Sequence, residues 1–333
     1  MEHETIGRRI DARKERVHLS IGAVCNNNCL FCMEEDRDGR YVNNSAMTME
    51  RVRWILEQHR GAEEVCFTSG EPTTREDLKE MLELATSLGF ERLSIMTNGR
   101  RLSHLPYAAS LVKRGMKRFY VSIHGHDAKL HEGLTRTPGS FDQTVAGLDS
   151  LTKLKRFGVE VHTSTVLTNR NLPHLTEIYR FLRAHGVDQV VFNVMQANGR
   201  ANTFFDQIFP TYAETAAAFA GFLADVAAVE ERPMAFLVDI PLCVTEGLPD
   251  FNRGYVEACA HYDTAENAIL EGFDAEARKH DNGLVLLTRK DLDDATREKR
   301  AECRECKYDG QCEGVWKNYV KRRGWGEMKP VRP

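Results

Sequence analysis

Short apolar runs alternate with stretches of helical period through the first two thirds of this 333-residue chain, and that alternation restricts the fold more than any other feature. Val17, Leu19 and Ile21 alternate with His18, Ser20 and Gly22, the period of two of a strand. Val52, Ile55, Leu56 and His59 recur at helical spacing behind Thr48, so a helix over 48–59 is predicted to carry the chain back. The unit then repeats. Strands are predicted at 65–68, 93–96, 118–123, 159–166 and 189–195, with helices over 141–157 and 172–185, the latter with Pro173 in its first turn. Thr73 and Glu76 stand at capping-box spacing ahead of Leu78, Met81, Leu82 and Ala85. An alanine-rich helix at 211–229 and a strand at 235–240 follow. Six strands separated by helices predict an α/β fold with a parallel sheet and helices outside it. Ligands of such folds gather at the carboxyl ends of the strands.

The polar motifs lie where that rule places them. The first strand runs into Cys25-Asn26-Asn27-Asn28-Cys29-Leu30-Phe31-Cys32, a C-x3-C-x2-C spacing. Three thiolates on one short loop can hold three irons of a 4Fe-4S cube, which normally takes four thiolates. The fourth iron is then open to a small chelator, such as the amino and carboxylate groups of an amino acid. A zinc loop is the competing reading. It needs a fourth Cys or His nearby, and His18 is the nearest upstream residue of that kind.

With Phe31 directly before Cys32, this loop resembles the signature of the radical S-adenosylmethionine (SAM) superfamily. The resemblance implies a partial (β/α)6 TIM-like barrel over 17–235, behind a leader of residues 1–16. It also implies a 4Fe-4S cluster on Cys25, Cys29 and Cys32 that cleaves SAM reductively to methionine and a 5′-deoxyadenosyl radical. Ser69-Gly70-Glu71-Pro72 resembles the family's GGEP loop, which implies that backbone groups and Glu71 receive the ammonium of SAM. Ser122 and Arg136 resemble positions that contact its ribose and carboxylate, and Val166 one that packs on adenine. Asn98, at a strand end, is expected to face the same cavity, though a turn role would explain it equally.

A second cysteine group closes the chain: Cys243, ten residues, Gly254, four residues, Cys259, and then Cys303-x2-Cys306-x5-Cys312. This resembles the opening of the SPASM pattern, cut short, because Trp316 stands where the next cysteine would be. The resemblance implies a small twitch-like module over 236–333 with one auxiliary 4Fe-4S cluster. Cys243, Cys259, Cys303 and Cys306 are the expected ligands and Cys312 a substitute or a spare thiol. A zinc knuckle at Cys303, Cys306 and Cys312 is the alternative. Cys66, inside a strand, reads as a buried thiol.

A net charge of −4 gives no basic field for a polyanion, and no run approaches the roughly 18 apolar residues of a membrane span. The charged start Met1 to Arg16 has no signal-peptide core, so a cytoplasmic protein is expected. In a reducing compartment nine cysteines read as metal ligands and free thiols. The implied activity is an oxidative modification: dehydrogenation of a small molecule, or crosslinking and maturation of a ribosomal peptide. Such chemistry uses an external low-potential electron donor such as flavodoxin or ferredoxin. Oxidising a radical carbon also releases a proton, for which Asp239 and Asp127 are the candidate acceptors. Two other readings stay open, a nucleic-acid-modifying radical enzyme and an iron-sulfur electron carrier without catalysis. The Glu71 loop argues against the carrier.

Overall fold

The sheet is built strand beside strand in chain order. A computed structural model describes residues 16–33, 47–229, 234–248, 265–267, 286–287 and 289–333. Strands β1 (Arg16–Ser20), β2 (Glu64–Thr68), β3 (Arg92–Thr97), β4 (Met116–Ser122), β5 (Glu160–Leu167), β6 (Gln189–Val194) and β7 (Ala235–Val238) lie in parallel. On the far side of β1, β8 (Ala265–Asn267) adds a parallel neighbour and β9 (Leu286–Leu287) an antiparallel one. The strand expected at 235–240 thus joins the barrel sheet as its seventh parallel strand, beyond the six expected of the barrel. β7 begins at Ala235, where the boundary of the C-terminal unit was expected to fall, and continues the register from Val190 opposite Ala235 to Asn193 opposite Val238.

Helices α1 (Met49–Gln58), α2 (Leu78–Ser87), α3 (Leu105–Lys113), α4 (Ala128–Thr135), α5 (Ser140–Leu154) and α6 (Leu175–Ala184) return the chain between strands. α6 shows why they form: Leu175, Ile178, Tyr179 and Leu182 are buried at i, i+3, i+4 and i+7, one apolar stripe. Thr48 caps α1 as expected, accepting from the backbone N–H of Arg51 at 3.3 Å. The capping box expected at Thr73 and Glu76 does not form. Thr73 instead donates its backbone N–H and its hydroxyl to Glu71 Oε1, at 3.0 and 2.6 Å, inside a 3-10 turn over Pro72–Thr74. α2 starts behind Asp77, whose carboxylate is taken by Arg75.

The alternation along β5 sorts the two faces of the sheet. Val161, Thr163, Thr165 and Leu167 are fully or almost fully buried, while Glu160, His162, Ser164 and Val166 point the other way. In register with this second set stand Arg118, Tyr120 and Ser122 of β4, so the inner face is polar along its length. At the amino ends of the strands it is filled. Glu64 is fully buried and accepts from Arg16 at 3.3 Å, Arg118 at 3.0 Å and Ser94 at 2.5 Å. Tyr120 accepts from Arg16 at 2.9 Å. Burying these charges is tolerable only because each is paired and hydrogen-bonded.

After β6 come the short helices α7 (Gly199–Thr203) and α8 (Phe205–Ile208) and the longer α9 (Tyr212–Ala227), which has the capping box of Thr211 and Glu214. The C-terminal segment adds α10 (Arg289–Thr296), an antiparallel pair of β10 (Arg297–Glu298) and β11 (Val315–Trp316), and α11 (Lys317–Arg323). Tyr319 of α11 is fully buried, stacked on Tyr212 at 3.9 Å between ring centres. No helix among the described residues is long and apolar enough to cross a membrane.

Candidate functional site

The carboxyl ends of β1, β2 and β3 bring three loops together. The cysteine loop leaves β1, and each of its three asparagines is held by a different residue. Asn98, at the end of β3, donates from Nδ2 to Asn26 Oδ1 at 2.5 Å. Arg100 donates to the Asn26 carbonyl and to Asn27 Oδ1, the latter at 3.0 Å. Arg200 donates to Asn28 Oδ1 at 2.6 Å and to the carbonyls of Asn28 and Cys29, each at 2.9 Å. The backbone N–H groups of Asn28 and Leu30 donate to Thr135 and Leu134 at the end of α4.

The loop after β2 locks onto the same segment. Ser69 and Gly70 both have positive φ, 74° and 56°, and a Cβ on Gly70 would stand 2.6 Å from the Val24 carbonyl oxygen. Glu71 is buried, and its carboxylate accepts from Thr73, from Thr97 Oγ1 at 2.7 Å and from the Asn98 N–H at 2.6 Å. Burial pushes its pKa up, and those hydrogen bonds pull the other way without cancelling the shift. A ligand ammonium approaching Glu71 would supply the positive charge that this carboxylate lacks.

Cys25, Cys29 and Cys32 are half-buried. Cys25 Sγ accepts from the Asn27 N–H at 3.4 Å. Burial, and then the neighbouring Cys25 and Cys32, push the Cys29 thiol above its ordinary range, with Arg200 acting against them. A thiol whose ionisation is opposed by its own burial and by two neighbouring thiols belongs to a donor set that cationic iron would relieve. Among the described residues no three His, Cys, Asp or Glu side chains converge on a point that a single ion could occupy. Zinc needs its ligands about 2.3 Å from one centre, whereas the thiolates of a cube bind different irons. The residues present fit a cube better than a lone ion.

Phe31 is buried with its ring edge-on to His124, 4.6 Å between centres. His124 Nδ1 accepts from the Val166 N–H, and His131 Nδ1 from the His124 N–H, both at 3.2 Å. The two rings lie stacked at 5.7 Å. Burial drives both imidazoles toward the neutral form, His131 to a pKa of about 4 with Arg100 adding to the effect. Ser122 is half-buried at the end of β4, opposite Ser164. Arg136 is exposed and ends α4 in the left-handed conformation, φ 51°. Pro72 opens the 3-10 turn.

Both candidate proton acceptors already have partners. Asp127 caps α4, accepting from the Leu130 N–H at 2.7 Å. Asp239 has φ 62° and pairs with Arg297, which also meets Asp293 and Glu313 at 3.1 and 2.9 Å and stacks on Trp316.

In the C-terminal segment Cys243, Cys303, Cys306 and Cys312 line one cavity, with Tyr308, Trp325 and Met328 among its walls. Burial, and then Cys312, Cys306 and Cys303, push the Cys243 thiol up to about 12. Cys306 Sγ accepts from the Val331 N–H at 3.4 Å. Cys312, expected as a substitute ligand or a spare thiol, thus stands with the group, while Cys259 lies outside the described residues.

The model of the Radical SAM superfamily matches residues 19–197, more than half of the chain. The chain belongs to the radical SAM superfamily and is an enzyme; the family's chemistry is reductive cleavage of SAM by a 4Fe-4S cluster. Curated relatives include a GTP 3′,8-cyclase of Marinobacter nauticus, 29% identical over 174 residues, 52% of this chain and 51% of that protein. An AdoMet-dependent heme synthase of Oleidesulfovibrio alaskensis is 29% identical over 177 residues, 53% of this chain and 44% of its own. The chain therefore spans about half the length of the curated relatives it matches. Among solved structures, Streptococcus suis SuiB bound to S-adenosylmethionine matches with TM-score 0.65 at 17% identity, over 98% of this chain and 77% of that one. The anSMEcpe structure with bound AdoMet and Cp18Cys peptide gives 0.60 at 14%, over 95% and 92%. These likenesses define the fold.

Arg100, Gly199 and Arg200 were not legible as site residues. A signal existed for the last two: Asn198-Gly199-Arg200 follows β6 at the end of the sheet where ligand loops gather.

Proposed function

We propose that this enzyme carries out an oxidative modification of a peptide, with Cys25, Cys29 and Cys32 as ligands of the SAM-binding cluster. When bound, that cluster supplies the low-potential electron that splits the sulfonium of SAM and releases the hydrogen-abstracting 5′-deoxyadenosyl radical. The chain's own residues bind and orient. Gly70, Pro72 and the Ser69 backbone form the floor beneath the methionine portion, and Glu71 faces its ammonium. Asn98 ties this floor to the cysteine loop. Ser122 and Arg136 meet the ribose and carboxylate, and Val166, held by His124, packs against adenine. An external low-potential donor provides the electron.

One observation carries the oxidative reading: Cys243, Cys303, Cys306 and Cys312 share a cavity. Four thiols complete the ligand set of an auxiliary cluster, which would take the second electron after hydrogen abstraction. Asp239, just after β7, and Asp127, just after β4, are the proposed acceptors of the proton. The peptide reading is supported by the fold shared with SuiB, also seen bound to precursor peptide SuiA, over 97% of this chain. The names of the sequence relatives, a GTP cyclase and a heme synthase, favour a small molecule as the second reading.

Anaerobic reconstitution with iron and sulfide counting tests this on the wild type and a Cys25→Ala/Cys29→Ala/Cys32→Ala variant, alongside dithionite-driven SAM cleavage. About eight irons should fall to about four with cleavage abolished. About four falling to none would remove the auxiliary cluster, and with it the oxidative step.

A further inference from the structure

The segment between β6 and α9 does more than connect them. Gly199 has φ 52°, and a Cβ there would collide with the Met33 carbonyl, so the backbone lies directly against the end of the cysteine loop. The Arg200 N–H donates to the Cys32 carbonyl at 2.9 Å, while its guanidinium takes the Asn28 and Cys29 carbonyls. One residue thus touches the loop before Cys29, at Cys29 and at Cys32. The other side of this segment is bolted to α11, the helix that follows the second cysteine group. Asn318 donates to the Ala197 carbonyl at 2.7 Å and to Asn198 Oδ1 at 3.0 Å, and Arg322 to the Asn202 carbonyl at 2.9 Å.

We propose that Arg200 is a positioning residue that sets the geometry and reduction potential of the cysteine loop, and that Asn318 ties its setting to the C-terminal segment. Two physical effects follow from the contacts. A single guanidinium nitrogen, Nη1, on the consecutive carbonyls of Asn28 and Cys29, together with the Arg200 N–H on Cys32, fixes the loop before any metal arrives. A fixed cation beside the thiolates favours the more negative, reduced state of whatever they ligate, since net charge and hydrogen bonding set cluster potentials. Lysine would keep the charge on a flexible stem without the planar, pre-organised guanidinium, and methionine would lose both charge and donors.

The test separates these effects in Arg200→Lys, Arg200→Met and Asn318→Ala. In cluster-free protein, iodoacetamide labelling of Cys25, Cys29 and Cys32 is followed by mass spectrometry, with buried Cys66 as internal reference. Labelling of the loop should rise about tenfold in Arg200→Lys, by less in Arg200→Met, where the lost cation also makes the thiols less reactive, and by less in Asn318→Ala, with Cys66 unchanged. In reconstituted protein, electron paramagnetic resonance at poised potentials follows the signal that changes on adding SAM. Arg200→Met should lower the ratio of reduced to oxidised cluster about tenfold, a shift of about 59 mV for one electron, and Arg200→Lys should stay within about twofold. Unchanged labelling and an unchanged ratio overturn the inference, and so does a rise at Cys66 that matches the rise in the loop. If Arg200→Met does not fold, Arg200→Lys decides on labelling alone. The potential arm rests on the three-cysteine reading above. The labelling arm does not, so a wild type without the cluster would sink that reading and still leave the positioning role under test.

Discussion

The backbone N–H of Glu71 donates to the carbonyl oxygen of Val24 at 2.8 Å, joining the loop after β2 to the residue just before Cys25. The bond is possible because Gly70 lets the two backbones touch. Two motifs that look independent in the sequence are one surface in the fold.

Gly70→Ala should therefore damage both loops at once. The added methyl meets backbone and the residue keeps φ at 56°, so a loss of about 1–3 kcal/mol is expected. Thermal unfolding of the cluster-free protein reads the stability, and calorimetric SAM binding to the reconstituted protein should weaken at least tenfold.

Glu64→Gln tests the charged plug at the amino ends of the strands. Removing the carboxylate takes a charged partner from Arg16 and from Arg118, although Arg118 keeps Glu160 at 2.7 Å, so a cost of about 1–3 kcal/mol is expected. Burial raises the pKa of Glu64, but Arg16, Arg118 and Ser94 outweigh it and hold it below the ordinary 4.5. Its contribution is thus full above that value and is lost as pH falls through the lower, folded one. Urea unfolding of the wild type should steepen in that acid range, and the variant should lack the component.

His131 gives a second pH signature with a different window. Its folded pKa of about 4 lies under the ordinary 6.5, so the unfolded chain binds the proton first. Stability is complete above 6.5 and declines as pH falls toward 4, by about 3 kcal/mol. His131→Asn keeps an acceptor for the His124 N–H and should make the fall of the melting temperature between those limits shallower, with His124 and His162, also held neutral by burial, supplying the remainder.

Single alanine substitutions at Cys243, Cys303, Cys306 and Cys312 should each remove about four irons from reconstituted protein. Cys66→Ala should remove none, since burial pushes its thiol up to about 12 and no other cysteine adjoins it in β2. An iron count for Cys312→Ala equal to that of the wild type would return Cys312 to the role of a spare thiol.

The strands and most helices were readable because periods of two and 3.6 are local properties of the chain, and burial on β5 and α6 follows them. The capping box at Thr73 failed because Glu71, two residues away, competes for the same N–H and hydroxyl. The cysteine loop was readable through its own spacing. Its supports were not: Arg200 and Asn28 are 172 positions apart, and only the return of the chain after β6 brings them together. Cys312 was placed last among the thiols for the same reason, because its proximity to Cys243 depends on how β7 and the closing segment pack.

The plug of Arg16, Glu64, Ser94, Arg118 and Tyr120 makes the sheet's interior a vessel with a filled base. Traffic then has a single direction: cosubstrate, substrate and spent fragments all pass the carboxyl ends of the strands. On the peptide reading proposed above, a long substrate lying across that rim would trap what entered before it, and loading would then be ordered, with the small cosubstrate first.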